Sequence, residues 1–226
     1  VTLDTVESHE IQWIWHGRLA RGKITVLDGD PGKSKSTITL DIAARISRGM
    51  PFPNEALRCD IGRVVILSAE DSLEDTIKPR LEAAGADTSR VTAITGIPCE
   101  DGSERPVVIP EDLHLISYVL DGADVLIVDP WAAFLSGKID GNKDTDSRRA
   151  MHVLKNLAEE RNVAIVIVRH LNKSGGANAL YRGGGSIGVI GAARIGLIVA
   201  DHPEDAKQRV LAVSKCNLAR HAPSLA

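Results

Sequence analysis

The first residues whose types and spacing could do chemistry lie between positions 24 and 37. Four residues of strand character, Ile24–Leu27, lead into Asp28-Gly29-Asp30-Pro31-Gly32-Lys33-Ser34-Lys35-Ser36-Thr37, and an amphipathic helical pattern follows. A strand, a tight loop and a helix N-terminus in this order bind phosphate groups, because backbone N–H groups enclose the anion and the helix dipole adds positive potential. The segment therefore predicts a phosphate-binding loop.

The pattern G-x-x-x-x-G-K-[ST] fits this segment in one register. Gly29 is then the first glycine, and Ser34 takes the place of the second. The competing register, which ends in Gly32-Lys33-Ser34, places Leu27 where the first glycine belongs and inside the strand, and we reject it. A Cβ at residue 34 narrows the loop, so we expect weaker phosphate binding than a glycine would give.

This register assigns a role to each residue of the loop. We expect Lys35 to reach the β- and γ-phosphates of ATP, Ser36 to supply its hydroxyl to Mg²⁺, and Thr37 to lie beneath the α-phosphate. The predicted nucleotide-binding residues are Gly29, Asp30, Pro31, Gly32, Lys33, Ser34, Lys35, Ser36 and Thr37.

Acidic residues follow two apolar strands later in the chain. Val125–Val128 ends at Asp129, the form of a strand whose aspartate orients Mg²⁺, so Ser36 and Asp129 are the predicted metal-binding pair. Val64–Ser68 leads to Glu70, which we expect to act as general base on the attacking water, with Asp71 as a nearby alternative. Helix capping by these two acids is the competing interpretation.

Seven short runs rich in apolar and β-branched residues alternate with helical patterns and predict the fold class. Several runs are apolar at almost every position, as strands covered on both faces are, so we expect an α/β fold with a mainly parallel twisted sheet flanked by helices. The last two runs are separated by a polar turn and predict a C-terminal antiparallel hairpin. The predicted strands are Ile24–Leu27, Val64–Ser68, Val91–Thr95, Val125–Val128, Ala164–Val168, Ile195–Val199 and Val210–Ser214, and the predicted helices are Ser36–Ser47, Leu73–Ala84, Pro110–Leu120, Thr145–Arg161 and Ser186–Ala193.

The composition limits the classes of function. Twenty-seven Lys and Arg residues against thirty Asp and Glu residues give a formal charge of -3, so no global field draws the chain to nucleic acid or to an anionic membrane. The apolar runs are too short to span a bilayer, and three widely spaced cysteines favour reduced thiols in a cytoplasmic protein. We expect a single domain over residues 1–226 that is a fragment of, or partner to, a larger protein.

Taken together, the motifs give the chain a specific resemblance. A glutamate after the second strand, with the metal aspartate on another strand, is typical of the RecA-type arrangement, and the chain resembles the RepA-like branch of the RecA/DnaB-type P-loop ATPases of plasmids, phages and mobile elements. The resemblance extends over nearly the whole chain. The similar segments are Trp13-Ile14-Trp15, Gly17-Arg18, Gly29-Asp30-Pro31-Gly32, Ser68-Ala69-Glu70-Asp71, Asp129-Pro130, Arg169-His170-Leu171-Asn172-Lys173-Ser174-Gly175, Tyr181-Arg182-Gly183-Gly184-Gly185-Ser186-Ile187-Gly188 and Lys215-Cys216-Asn217-Leu218.

The resemblance implies a RecA-like core that assembles into a ring, commonly a hexamer, with ATP between neighbouring subunits. It makes His170 the polar sensor of the γ-phosphate, although a histidine that only ends a strand is the competing interpretation. It makes Lys215 the residue presented to the neighbour's nucleotide. Asn217 stands where DnaB-type proteins carry an arginine finger, and Arg182 and Arg194 are the candidates to replace it.

Two long loops, 136–147 and 172–185, lie where the RecA-like pattern places single-stranded DNA. A solvated loop is the competing interpretation. The candidate DNA contacts are Lys138, Lys143, Arg148 and Arg149 in and after the first loop, and Lys173, Tyr181 and Arg182 in the second. The resemblance thus implies Mg²⁺-dependent ATP hydrolysis coupled to DNA in a replicative helicase-like motor. The alternative is a nucleotide-switched binding or assembly module with little turnover. The expected catalytic residues are Lys35, Glu70, Asp129, His170 and Lys215.

Overall fold

A seven-stranded sheet forms the centre of the computed structural model, which describes residues 1–141, 143–171 and 187–226. The strands are β1 (Trp13–Trp15), β2 (Leu19–Ala20), β3 (Ile24–Gly29), β4 (Val64–Ser68), β5 (Val91–Ile94), β6 (Ile97–Pro98), β7 (Glu104–Arg105), β8 (Val125–Asp129), β9 (Ala164–His170), β10 (Ile195–Asp201) and β11 (Arg209–Cys216). The α-helices are α1 (Lys35–Arg48), α2 (Lys78–Ala83), α3 (Leu113–Val119), α4 (Asp144–Arg161) and α5 (Ile187–Ala192).

The strand order in the main sheet is β11-β10-β3-β9-β8-β4-β5. All neighbouring pairs are parallel except β10 and β11, which form an antiparallel hairpin. The predicted α/β fold class, with its mainly parallel sheet and C-terminal hairpin, is therefore confirmed. The carboxyl ends of β3, β4, β8 and β9 lie at one edge of this sheet, where ligands of open α/β sheets collect.

Helices cover both faces of the sheet, which explains why the strands are apolar at consecutive positions. In β3, Val26 and Leu27 are both fully buried, but they belong to different clusters of the core. Val26 shares its cluster with Leu154 of α4, whereas Leu27 shares its cluster with Leu40 of α1. Successive strand residues point to opposite faces, so each face needs its own apolar residues.

The two long helices end at residues in the left-handed backbone region. Gly49 (φ 61°) follows α1, and its N–H bonds the carbonyl groups of Arg45 and Ile46. Asn162 (φ 50°) follows α4 in the same way. Glycine and asparagine are the residues that adopt this conformation most easily, which is why these helices end within one residue of their predicted ends.

Short or irregular elements differ from the predictions. The hairpin of β1 and β2 and the pair of β6 and β7 were not predicted, because strands of two or three residues are too short to show a period of two. The predicted helix Leu73–Ala84 starts with a π-helical turn at Leu73–Ile77. The predicted helix Pro110–Leu120 begins only at Leu113.

The late start of α3 has a physical cause. The carboxylate of Asp112 accepts bonds from both terminal nitrogens of Arg105, at 2.7 and 2.6 Å, and from the backbone N–H of Val108 at 2.8 Å. These contacts hold the preceding residues in a turn, so the helix follows Asp112 instead of containing it. No helix in the described ranges is long and apolar enough to cross a membrane.

The two-sided core makes a direct prediction about stability. Leu126 in β8 is 0% exposed, and we expect Leu126→Ala to lower the free energy of unfolding by about 2–5 kcal/mol, because the substitution leaves a cavity. Urea denaturation followed by circular dichroism measures this. Leu57→Ala is the matched control, since Leu57 is 82% exposed and its truncation should change stability by less than about 0.5 kcal/mol. Equal losses in the two variants would contradict the assignment of the core.

Candidate active site

Lys35 lies at the junction of the loop and helix α1 and bonds back across the loop. Its Nζ donates to the carbonyl oxygens of Gly29 and Asp30, both at 2.8 Å, and the residue is 5% exposed. Burial lowers the pKa of Lys35, while the nearby carboxylates of Asp129, Asp30, Asp28 and Glu70 oppose this shift. The amine of Lys35 is thus held beside the carboxyl end of β3, among acidic groups whose charges favour its protonated form.

Gly29 and Ser34 show why each of the two glycine positions of the pattern is demanding. A Cβ on Gly29 would lie 2.9 Å from the carbonyl oxygen of Val199 in β10, so the neighbouring strand leaves no room for a side chain. Ser34 lies in the left-handed region, with φ 62° and ψ 23°. Serine therefore takes the conformation for which the pattern places glycine, at a cost of about 1 kcal/mol.

The other predicted loop residues connect β3 with α1. Asp30, Pro31, Gly32 and Lys33 form the turn itself, in which Gly32 has φ 74°. Ser36 and Thr37 lie in the first turn of α1. Backbone N–H groups at such a helix start have no partner within the helix and can bind an anion.

Asp129 ends β8 at the same edge of the sheet. It pairs in register with Ser68 at the end of β4. Burial raises the pKa of Asp129, the Ser36 side chain lowers it, and the charge of Glu70 raises it. Ser36 and Asp129, the predicted metal-binding pair, therefore lie close together. One hydroxyl and one carboxylate fit Mg²⁺, which usually takes its remaining ligands from phosphate and water. The described residues contain no cluster of three or more His, Cys, Asp or Glu residues that could hold a metal ion.

Glu70 and His170 approach each other beside the loop. The distance from His170 Nε2 to Glu70 Oε1 is 3.9 Å, and the Nδ1 atom of His170 is buried without a hydrogen-bond partner in the described part of the chain. Ser72 is the N-cap residue of the following helical turn and makes no side-chain capping bond. The carboxylate of Asp71 instead accepts a hydrogen bond from Arg80 at 3.2 Å. Of the two neighbouring acids Glu70 and Asp71, Glu70 is therefore the one that faces His170.

Lys215 does not join this group within one chain. Its Nζ donates to the carbonyl oxygens of Ile190 (2.8 Å), Gly191 (3.0 Å) and Ala193 (2.8 Å) at the C-terminus of α5. Burial lowers its pKa, and the charges of Arg194 and Arg148 lower it further. Lys215 pairs with Gly196 of β10, whereas Gly29 pairs with Val199, three residues further along that strand. At 3.3 Å per residue, this separates the two positions by about 10 Å along the sheet.

The predicted DNA contacts of the second loop are not among the residues that the structure describes. Lys173, Tyr181 and Arg182 all lie outside the described residues. The same holds for Arg182 as a substitute for the finger arginine, whereas Arg194 is an exposed residue directly before β10.

Two contacts that the sequence did not reveal surround the loop. Asp28 and Arg169 form a buried ion pair, with Nε to Oδ1 and Nη2 to Oδ2 distances of 2.9 Å. Lys33 Nζ donates to Asp201 Oδ2 at 2.6 Å, and Arg209 Nη1 forms an ion pair with Oδ1 of the same carboxylate at 3.1 Å. The sequence indicated these ion pairs only by placing charged residues, such as Asp28 and Arg169, within or next to apolar strands. The partners are far apart in the chain, so pairing them requires the strand order.

Comparison with known proteins agrees with this geometry. The family described as AAA domain matches residues 2–176, which contain the loop, Glu70, Asp129 and His170. The chain belongs to this AAA domain family. Its central sheet, flanking helices and C-terminal hairpin form a RecA-like P-loop NTPase fold.

The chain also has distant sequence similarity to two curated proteins. The DNA repair protein RadA of Campylobacter jejuni is 24% identical over 173 residues, which are 76% of this chain and 33% of that protein. The DNA repair protein RadA of Streptococcus pneumoniae is 27% identical over 173 residues, which are 75% of this chain and 35% of that protein. The match thus spans about a third of the length of these relatives.

The backbone of Ser34 makes a prediction about stability. Ser34→Gly should raise the free energy of unfolding by up to about 1 kcal/mol, because it removes left-handed backbone strain from the folded chain. Urea denaturation followed by circular dichroism measures the change. Ser34→Val, which adds a branched Cβ at the same φ, should be less stable than the wild type. A glycine variant less stable than the wild type would contradict the assignment of strain to this residue.

Proposed function

We propose that this chain hydrolyses ATP with Mg²⁺ and couples the cycle to single-stranded DNA, as a ring-forming, RecA-like motor of the RepA-like branch. The observation that carries the proposal is the convergence of Lys35, the pair of Ser36 and Asp129, and the pair of Glu70 and His170 at one edge of the sheet. Membership of the AAA domain family supports nucleotide chemistry at this edge.

The roles follow from the chemistry of these side chains. Lys35 would neutralise charge on the β- and γ-phosphates. Ser36 and Asp129 would hold Mg²⁺, which would supply further charge neutralisation when bound. Glu70 orients the attacking water and accepts its proton. His170 is close enough to Glu70 to respond to a change at the γ-phosphate and to pass it to the loop that follows β9.

Coupling to DNA is supported by the relatives, which are described as DNA repair proteins. In and directly after the first loop, Lys138, Lys143 and Arg148 each lie within 4.0 Å of a carboxylate, which offsets part of their positive charge. We therefore assign the main contact with DNA to Lys173, Tyr181 and Arg182. Such residues bind phosphates and stack on bases with little sequence preference.

ATP turnover, measured with and without single-stranded DNA, tests the proposal. We expect DNA to stimulate turnover, Lys35→Ala to abolish nucleotide binding, and Glu70→Gln to lower kcat by about 10²–10⁴-fold with binding retained. Glu74→Gln is the matched control, because Glu74 is an exposed acid of the next helical turn, and it should leave turnover unchanged. Nucleotide binding without turnover in the DNA-bound assembly would reject the motor.

A second test addresses Lys215, which we propose to act on the nucleotide of the neighbouring subunit. Lys35→Ala and Lys215→Ala should each be nearly inactive, but a mixture should regain turnover, since some interfaces then combine an intact Lys35 with an intact Lys215. Lys207→Ala, in the turn between β10 and β11, is the lysine control and should keep full activity. A mixture no more active than its components would show that Lys215 has no role in trans.

A nucleotide-switched assembly module is the second candidate function. The left-handed Ser34 favours it, as do the three carbonyl bonds that hold Lys215 and the Asn217 that replaces a finger arginine. This candidate requires that ATP changes the number of subunits, seen by native mass spectrometry, while hydrolysis stays at background. A hexamer with DNA-stimulated turnover supports the motor instead.

A further inference from the structure

The buried ion pair of Asp28 and Arg169 lies directly beneath the phosphate loop. The two residues are register partners on β3 and β9, and they are 2% and 3% exposed. Their neighbours Leu27 and Val168 are fully buried apolar residues. A carboxylate at this position is unusual, because taking a charge out of water costs several kcal/mol unless it is paired.

The position of Asp28 creates a specific electrostatic problem for the loop. Asp28 directly precedes Gly29, whose carbonyl oxygen accepts a bond from Lys35. Burial lowers the pKa of Lys35, and the charge of Asp28 is one of those that oppose this shift. An unpaired carboxylate here would attract Lys35 away from the nucleotide and would repel the phosphates.

Arg169 binds both oxygens of the Asp28 carboxylate. Its Nε and Nη2 atoms each donate to a different oxygen of Asp28, both at 2.9 Å, in the side-by-side arrangement that suits a guanidinium and a carboxylate. Burial raises the pKa of Asp28, and the hydrogen bond and charge of Arg169 act against this shift. Arg169 is followed by His170, which pairs in register with Gly29.

We propose that Arg169 is a positioning residue of the nucleotide site, which neutralises Asp28 so that Lys35 stays available to the phosphates. The inference rests on the proposed nucleotide site. Arg169 then acts electrostatically on Lys35 by neutralising Asp28, in addition to any contribution that the ion pair makes to holding β3 against β9.

The two partners should then have opposite effects on nucleotide binding. Arg169→Met leaves the Asp28 carboxylate unneutralised, and we expect affinity for a non-hydrolysable ATP analogue to fall by at least about tenfold. Asp28→Asn removes the negative charge near the phosphates, and we expect binding to tighten by roughly threefold. The double variant should recover most of the affinity lost in Arg169→Met.

A role confined to strand packing predicts a different pattern. Both single variants would then lose stability and affinity together, and the double variant would show no selective recovery of binding. Equilibrium binding is therefore measured with a fluorescent ATP analogue, under conditions in which circular dichroism shows each variant folded. Parallel losses in Arg169→Met and Asp28→Asn would overturn the proposal.

Further variants keep the test decisive. If Arg169→Met does not fold, Arg169→Lys takes its place, and it should lose less affinity because it keeps the charge without the paired bonds. Weaker binding by Asp28→Asn alone also overturns the proposal. Arg161→Met is the control, because Arg161 forms an exposed pair with Asp121 at 3.7 Å, and its binding should match the wild type.

The same assay separates this inference from the proposed function. A wild-type chain that does not bind the ATP analogue rejects the nucleotide site itself. A wild-type chain that binds it, with loss of binding in Lys35→Ala, supports the site. The result from Arg169 and Asp28 then decides only whether their ion pair serves that site.

Discussion

Backbone pairing between parallel strands is the constraint on which the rest of the structure depends. The bonds between β3 and β9 set Gly29 level with His170, and those between β4 and β8 set Ser68 level with Asp129. Helices bury both faces of these strands, so most uncompensated polar residues can lie only where the strands end. Four strands ending at one edge therefore produce a polar site above an apolar core.

Charge balance is the second requirement at this edge. Lys35 lies among four carboxylates, those of Asp28, Asp30, Asp129 and Glu70. A phosphate ligand adds more negative charge. The site therefore needs positive groups that can bind the phosphate, and carboxylates that are already paired with other groups. Arg169 forms an ion pair with Asp28, and Lys35 bonds the carbonyl group of Gly29. The Ser36 hydroxyl and the Asp129 carboxylate are oxygen ligands of the kind that Mg²⁺ prefers.

The C-terminal hairpin of β10 and β11 contacts the phosphate loop. Asp201 at the end of β10 binds both Lys33 of the loop and Arg209 at the start of β11. Lys215 at the other end of β11 is held by the carbonyl groups of α5. One hairpin thus contacts the phosphate loop at one end and carries, at its other end, the residue that we assign to a neighbouring nucleotide.

The sequence by itself determined the sheet class, the long helices, the hairpin and the loop register, because these depend on local periodicity and on residues adjacent in the chain. It also indicated that Glu70 and Asp129 follow parallel strands. Only the tertiary structure decided that Glu70, and not Asp71, lies near His170, since Arg80 binds Asp71. It also decided that Ser34 accepts a left-handed backbone and that Asp28 pairs with Arg169 across 141 positions of the chain. The physical reason is that strand order, crossover connections and backbone strain join residues whose separation no local pattern encodes.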